Sequence, residues 1–120
     1  ETVLLVEDEE SIRKTVASFL KKLGYSVVAA GSPEEALEKG RAMCDSVDLM
    51  LTDVVMPGMN GVDLAEELEK ACPELKSIFM SGYTADSIID KGILKENGNF
   101  LPKPFTREEL ARKVRSVLDG

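Results

Sequence analysis

The sequence predicts an α/β domain, a doubly wound open sheet of parallel strands with helices on both faces. Three observations lead there. Apolar runs of four to six residues alternate with segments of helical periodicity, five times over. The runs are nearly continuous in apolar side chains, as strands covered on both faces must be. Polar residues able to do chemistry stand just past the ends of several runs, which is where such sheets place their sites. With 120 residues, 43% of them hydrophobic, one domain over 1–120 can bury a core of its own. No linker, repeat or low-complexity tract divides it.

The first run, residues 2–6, reads as a strand ended by the acidic cluster 7–10. Ile12, Val16, Phe19, Leu20 and Leu23 then recur at helical spacing, and Gly24 is placed to stop that helix with a left-handed cap. A second strand follows over 25–30. Ser32, Pro33 and Glu35 read as N-cap, first-turn proline and capping residue of a second helix, which fades near Cys44. Residues 49–51 form a short third strand that runs into Thr52 and Asp53, followed by the turn residues Pro57, Gly58, Asn60 and Gly61. A third helix carries Val62, Leu64, Ala65, Leu68 and Ala71 up to Pro73, and 75–80 form the fourth strand. A short helix with Ile88 and Ile89 is expected over 84–91, before Gly92, Asn97 and Gly98 break the pattern. Residues 99–101 are the fifth strand. Thr106 and Glu109 make a capping box for a last helix that carries Leu110, Val114, Val117 and Leu118. Met50, Met56, Met59 and Met80 are simplest as core and loop filler.

The charge narrows the function classes. A net charge of −7, with the basic residues scattered, argues against direct nucleic-acid binding. Cys44 and Cys72 have neither CxxC spacing nor any histidine to complete a zinc site, so both are expected to be reduced structural thiols. No run reaches the roughly 18 to 20 apolar residues of a membrane span. A soluble, cytoplasmic domain without direct membrane contact is therefore expected, whether it stands alone or belongs to a membrane-anchored parent.

The strand ends deliver Glu7 and Asp8, Asp53, Ser81 and Lys103 to one edge of one sheet. Each alone has an ordinary reading as a turn former, helix cap or surface charge. Their joint placement carries the inference. Three converging carboxylates repel one another unless a cation sits among them, and an all-oxygen donor set without histidine suits Mg²⁺ better than zinc. Beside such a metal Asp53 is a plausible nucleophile toward a phosphoryl donor, with Ser81 and Lys103 to answer the remaining charge.

The strings LLVEDEE, LMLTDVVMPGMNG, FMSGY and FLPKPF, in this order and spacing, resemble the receiver domain of two-component response regulators over essentially the whole chain. The resemblance implies a flavodoxin-like (βα)5 three-layer sandwich with sheet order 2-1-3-4-5. It implies Asp53 as phosphoacceptor, Asp8 as direct Mg²⁺ ligand, Glu7 as its partner through water, and the backbone carbonyl of Val55 as a further ligand; Mn²⁺ is an alternative ion. Ser81 becomes the switch hydroxyl, Lys103 the phosphate-contacting cation, and Phe100 the aromatic that swings inward on activation. The moving face would combine the helix over 84–91, the fifth strand and the last helix, and dimerising members pair through it. Lys103-Pro104 resembles the family's usual cis peptide, which aims the lysine at the site.

Three positions differ from the commonest pattern: Glu-Asp stands for Asp-Asp at 7–8, Ser for Thr at 81, and Phe for Tyr at 100. The first two keep a carboxylate and a hydroxyl; the third leaves an aromatic without a phenol hydrogen bond. Tyr83 is placed to shield an acyl phosphate from water. The implied donor is a phosphohistidine on a histidine kinase or phosphotransfer domain, received by apolar residues near the site, Ile12, Pro104 and Phe105. ILKENGNFLPKPF and GYTAD resemble receivers at the C-terminus of hybrid sensor histidine kinases, whose parent protein would be a kinase. Catalysis by the domain itself would be limited to its own phosphorylation and dephosphorylation.

Two rival classes follow from the same sheet. A pseudo-receiver would bind a partner without phosphorylation, and loss of an acidic residue, Ser81 or Lys103 would have favoured it; none is lost. A haloacid-dehalogenase phosphatase would need a second Asp where Val55 stands. A flavin or dinucleotide domain would need a glycine- or hydroxyl-rich first loop, and EDEE would repel its phosphates.

Overall fold

The computed structural model describes residues 1–82 and 99–120. Five parallel strands, β1 (Thr2–Val6), β2 (Ser26–Ala30), β3 (Leu49–Asp53), β4 (Lys76–Ser81) and β5 (Phe100–Pro102), lie in the order β2-β1-β3-β4-β5. The described helices are α1 (Glu10–Lys22), α2 (Pro33–Ala42), α3 (Gly61–Ala71) and α4 (Arg107–Asp119). The helix expected over 84–91, with Ile88 and Ile89, and Tyr83 lie outside the described residues.

Parity along the strands sorts the core into two layers. On β1, Leu4 and Val6 join Met50, Val54, Leu64, Leu68 and Ala36 on the α2–α3 side. Val3 and Leu5 join Leu49, Leu51, Ile78, Val16, Leu20, Leu110 and Val114 on the α1–α4 side. Every residue of β3 is buried, which is why its sequence is a continuous apolar run up to the functional end. Met50, Met56 and Met80 are buried, and Met59 packs partly buried against the α2–α3 layer.

Local signals define the helix ends. Gly24, with φ +96°, follows α1 as the left-handed stop. Ser32, Asn60 and Thr106 each accept the backbone N–H three residues on, and at α4 Glu109 reciprocates to the Thr106 N–H, completing the capping box. At α2 the expectation needs adjustment. Glu35 reaches one residue further back and accepts from the Gly31 N–H at 2.7 Å, so it ties the end of β2 to the helix.

Strand ends moved slightly. The third strand runs on to Asp53, and the fourth and fifth lie one residue later than expected, so Ser81 ends β4 and Pro102 ends β5. A proline is tolerated there because β5 is an edge strand.

The larger correction concerns the cysteines. Cys44, just past α2, and Cys72, just past α3, are joined as a disulfide with Cα atoms 5.5 Å apart. Sequence spacing missed the pair because their nearness comes from the docking of α2 on α3, and nothing local reports it.

Candidate functional site at the carboxyl ends of the strands

The sheet's own hydrogen bonding positions the site. The first residue beyond β1 still donates its N–H to β2, Glu7 to Ala30 at 3.1 Å. Val54 does the same to Met80 at 3.0 Å, and Lys103 to Ser81 at 2.8 Å. Glu7, Asp53 and Lys103 therefore project from backbone locked to a neighbouring strand. Behind Asp53 the chain turns and comes back at Gly61, whose N–H donates to the Val54 carbonyl at 2.8 Å. A Cβ at Gly61 would collide with the Asp53 carbonyl, so glycine is required for this close approach. Thr52 is fully buried and donates its hydroxyl to the same carbonyl at 2.9 Å.

Glu7, Asp8 and Asp53 present carboxylate oxygens that all lie within 4.8 Å of one another. Glu7 and Asp53 are 1% and 8% exposed, while Asp8 is open to solvent. Lys103 enters from the far strand, its ammonium 2.5 Å from Glu7 Oε1 and 3.4 Å from Asp53 Oδ2. The Lys103–Pro104 peptide is cis.

Burial is the main influence on these acids and pushes both above the ordinary carboxylate range. For Glu7 the bond from Lys103 opposes burial and the Asp53 charge adds to it. For Asp53 the Lys103 charge opposes burial, and the charge of Asp8 adds to it. Burial works against the Lys103 charge too, but the bond to Glu7 and the attraction of Asp53 hold its pKa above the usual lysine value. Lys103 thus pairs with Glu7 and Asp53, and the two buried acids still stay uncomfortable as anions.

Among the predicted residues, Glu7, Asp8, Asp53 and Lys103 come together. Ser81 is buried at the adjoining end of β4. Val55 is exposed, two residues past Asp53. Phe100 pairs with Phe79 across β4–β5 and packs partly buried against the α2–α3 layer. Sequence reasoning missed Arg13, whose guanidinium donates to the Glu7 carbonyl at 2.8 Å. The available signal was its place one turn into α1, from which a long side chain leans back toward the helix N-terminus.

The response regulator receiver domain model matches residues 3–115. The chain belongs to that family. It is a receiver domain of two-component signalling, and the residue-by-residue resemblance and the fold agree. The receiver is 42% identical over 118 residues to the sensor kinase CckA of Brucella abortus (strain 2308), covering 98% of this chain and 12% of that protein. It also matches a solved receiver domain from the hybrid histidine kinase CckA, with 32% identity and a TM-score of 0.83, covering 98% of this chain and 99% of that one. The response regulator TrrA of Thermotoga maritima, solved in complex with Mg²⁺ and BeF, matches at 30% identity and a TM-score of 0.82 over 98% of both chains.

Proposed function

We propose that this receiver takes a phosphoryl group from a phosphohistidine donor onto Asp53, with Mg²⁺ held by Asp8, Asp53, Glu7 through water, and the Val55 carbonyl. The observation that carries the proposal is the convergence of three carboxylates and one lysine from the ends of β1, β3 and β5. The fit to the ion is chemical. The donors are hard oxygens, their spacing suits one small cation with ligands at about 2 Å, and the buried acids lack full compensation without it. Mn²⁺, which accepts the same donors, would serve as well. When bound, the ion would neutralise charge on the phosphoryl oxygens.

The chain's own residues do the rest. An Asp53 oxygen attacks phosphorus in line with the departing imidazole nitrogen; the N–P bond breaks, an acyl phosphate forms and the imidazole takes up a proton. Lys103 exchanges its contact with Asp53 for one with a phosphoryl oxygen, and Ser81 supplies a hydroxyl on the neighbouring strand. Phosphorylation adds about −1.5 to −2 charges at a strand edge. Movement of Ser81 toward that charge and of Phe100 behind it would reshape the face that includes β5 and α4, and a dimer could form there.

A groove of about 470 Å³ runs beside the site between α1 and the loop after β5, with Ile12, Phe19, Pro104 and Phe105 in its walls. It suits the apolar side of a helix carrying the donor histidine. The match to one section of a sensor kinase supports a place within a hybrid histidine kinase.

The test is intact-mass analysis after incubation with Mg²⁺ and acetyl phosphate, with EDTA and Asp53→Ala as controls. A gain of one phosphoryl group that needs Mg²⁺ and Asp53 is expected. Absence of both adduct and Mg²⁺ binding would leave only a partner-binding domain.

A further inference from the structure

The acidic loop after β1 carries two of the three carboxylates, yet its backbone is gripped by a side chain from outside the cluster. Arg13 Nη1 donates to the Glu7 carbonyl at 2.8 Å. That carbonyl belongs to the peptide joining Glu7 to Asp8, so the bond sets the plane from which both acidic side chains leave. Among the described residues the loop backbone is also tied by the Glu7 N–H to the Ala30 carbonyl at 3.1 Å, the Glu9 N–H to Glu7 Oε2 at 3.2 Å and the Arg13 N–H to the Glu9 carbonyl at 2.9 Å. None of the three holds the Glu7–Asp8 peptide carbonyl itself.

The guanidinium is seated as well as reaching. It lies over Gly31, where an added methyl would stand 3.0 Å from Nη1 and 3.4 Å from the guanidinium carbon. Glu35, hydrogen-bonded to the Gly31 N–H at 2.7 Å, places a carboxylate beside the same spot. Arg13 therefore bridges α1, the end of β1 and the β2–α2 turn.

Resting on the Mg²⁺-binding reading above, we propose that Arg13 is a positioning residue for the ion site, holding the Glu7–Asp8 peptide so that both carboxylates face Asp53. The sign of its removal separates this role from simple electrostatics. Deleting a nearby positive charge should by itself tighten binding of a cation. Loss of positioning weakens it, by about tenfold for partners that orient metal ligands.

The experiment is calorimetric titration of the metal-free protein with Mg²⁺ at 25 °C, with thermal midpoints recorded for each variant. Arg13→Gln is expected to bind Mg²⁺ about tenfold more weakly while still folded at the titration temperature. Arg13→Lys, which keeps a donor and the charge, should recover to within about threefold of wild type. Lys14→Gln removes a charge from the exposed side of the same helix and should change affinity less than twofold. Gly31→Ala should weaken binding two- to threefold by displacing the guanidinium, and should have no effect once Arg13 is Gln. Unchanged or tighter binding by Arg13→Gln overturns the proposal, as does an equal loss in Lys14→Gln. If Arg13→Gln fails to fold, unchanged affinity in Gly31→Ala overturns it. Wild-type protein that binds no Mg²⁺ overturns the metal-site reading itself, whereas wild-type binding with indifferent variants removes only the role of Arg13.

Discussion

Asp53 is an anion in a setting that disfavours anions. Burial and the charge of Asp8 raise its pKa against the pull of Lys103, so removing its charge should stabilise the metal-free fold. Asp53→Asn is expected to raise the thermal midpoint in EDTA by about 2–5 °C while abolishing the phosphoryl adduct; a lower midpoint would contradict the electrostatic account. The same logic gives a pH profile. Glu7 and Asp53 have folded pKa values above their ordinary 4.5 and 3.8, so stability is gained as pH falls through those raised values. Glu10, Glu35, Glu67 and Glu109 are held below 4.5 by hydrogen bonds, so the stability they lend above 4.5 is lost as pH falls through their lowered values. Metal-free protein should therefore be most stable on the acid side of neutrality, and Asp53→Asn should flatten the rise, as thermal melts across pH would show. At this scale the acids and Lys103 were legible because each ends an apolar run. Arg13 was not, because its partner is a backbone carbonyl and no side-chain pattern advertises it.

At the scale of the element, the helix starts link sequence to site. Asn60 caps α3 by accepting the Asp63 N–H at 2.9 Å, and Thr106 caps α4 by accepting from Glu109 at 3.1 Å. Thr106→Ala should cost about 1 kcal/mol in chemical denaturation and leave adduct formation nearly unchanged, since that helix start does not touch the carboxylates. Gly61→Ala is a different case. Its methyl meets the Asp53 carbonyl, so the end of β3 must shift. The expected result is a loss of about 1–3 kcal/mol together with at least tenfold slower phosphorylation by acetyl phosphate. Normal phosphorylation in that variant would show that the close approach is incidental. Thr106 was read as a cap from sequence, because a cap is a local bond between residues three apart, whereas Asn60 read only as a turn residue. Glu35 went one residue further back than expected and ties the Gly31 N–H instead of the Ser32 N–H.

Across the whole molecule, the covalent tie between Cys44 and Cys72 closes a loop with a sequence separation of 28 at the end of α2 and α3. Cross-linking a loop of that length removes unfolded-state freedom worth about 3–4 kcal/mol. Reduction, or Cys72→Ser, should lower the thermal midpoint by about 12–16 °C, and non-reducing intact mass should be about 2 Da below the reduced value. Equal masses and midpoints with and without reductant would show that the pair stays as thiols. The tie lies past the C-termini of α2 and α3, whereas the carboxylate cluster sits at the carboxyl ends of the strands and the N-terminus of α3. Reduction is accordingly expected to leave Mg²⁺ affinity within about twofold.

Apolar periodicity and turn chemistry are local and repeat along the chain, so the strands, the caps at Ser32 and Thr106, and the acids, serine and lysine at the strand ends were readable from the residues alone. The sequence also carried the strings that mark the receiver family. Tertiary structure decided what depends on which elements lie side by side. The adjacency of β1, β3, β4 and β5 brought residues from 7 to 103 to one edge. The docking of α2 on α3 brought two cysteines together, and the return of the chain at Gly61 required a glycine against Asp53. The reach of Arg13 onto a peptide carbonyl belongs to the same class. Contacts of that kind are set by global packing, and the partners share no spacing rule that a single sequence can display.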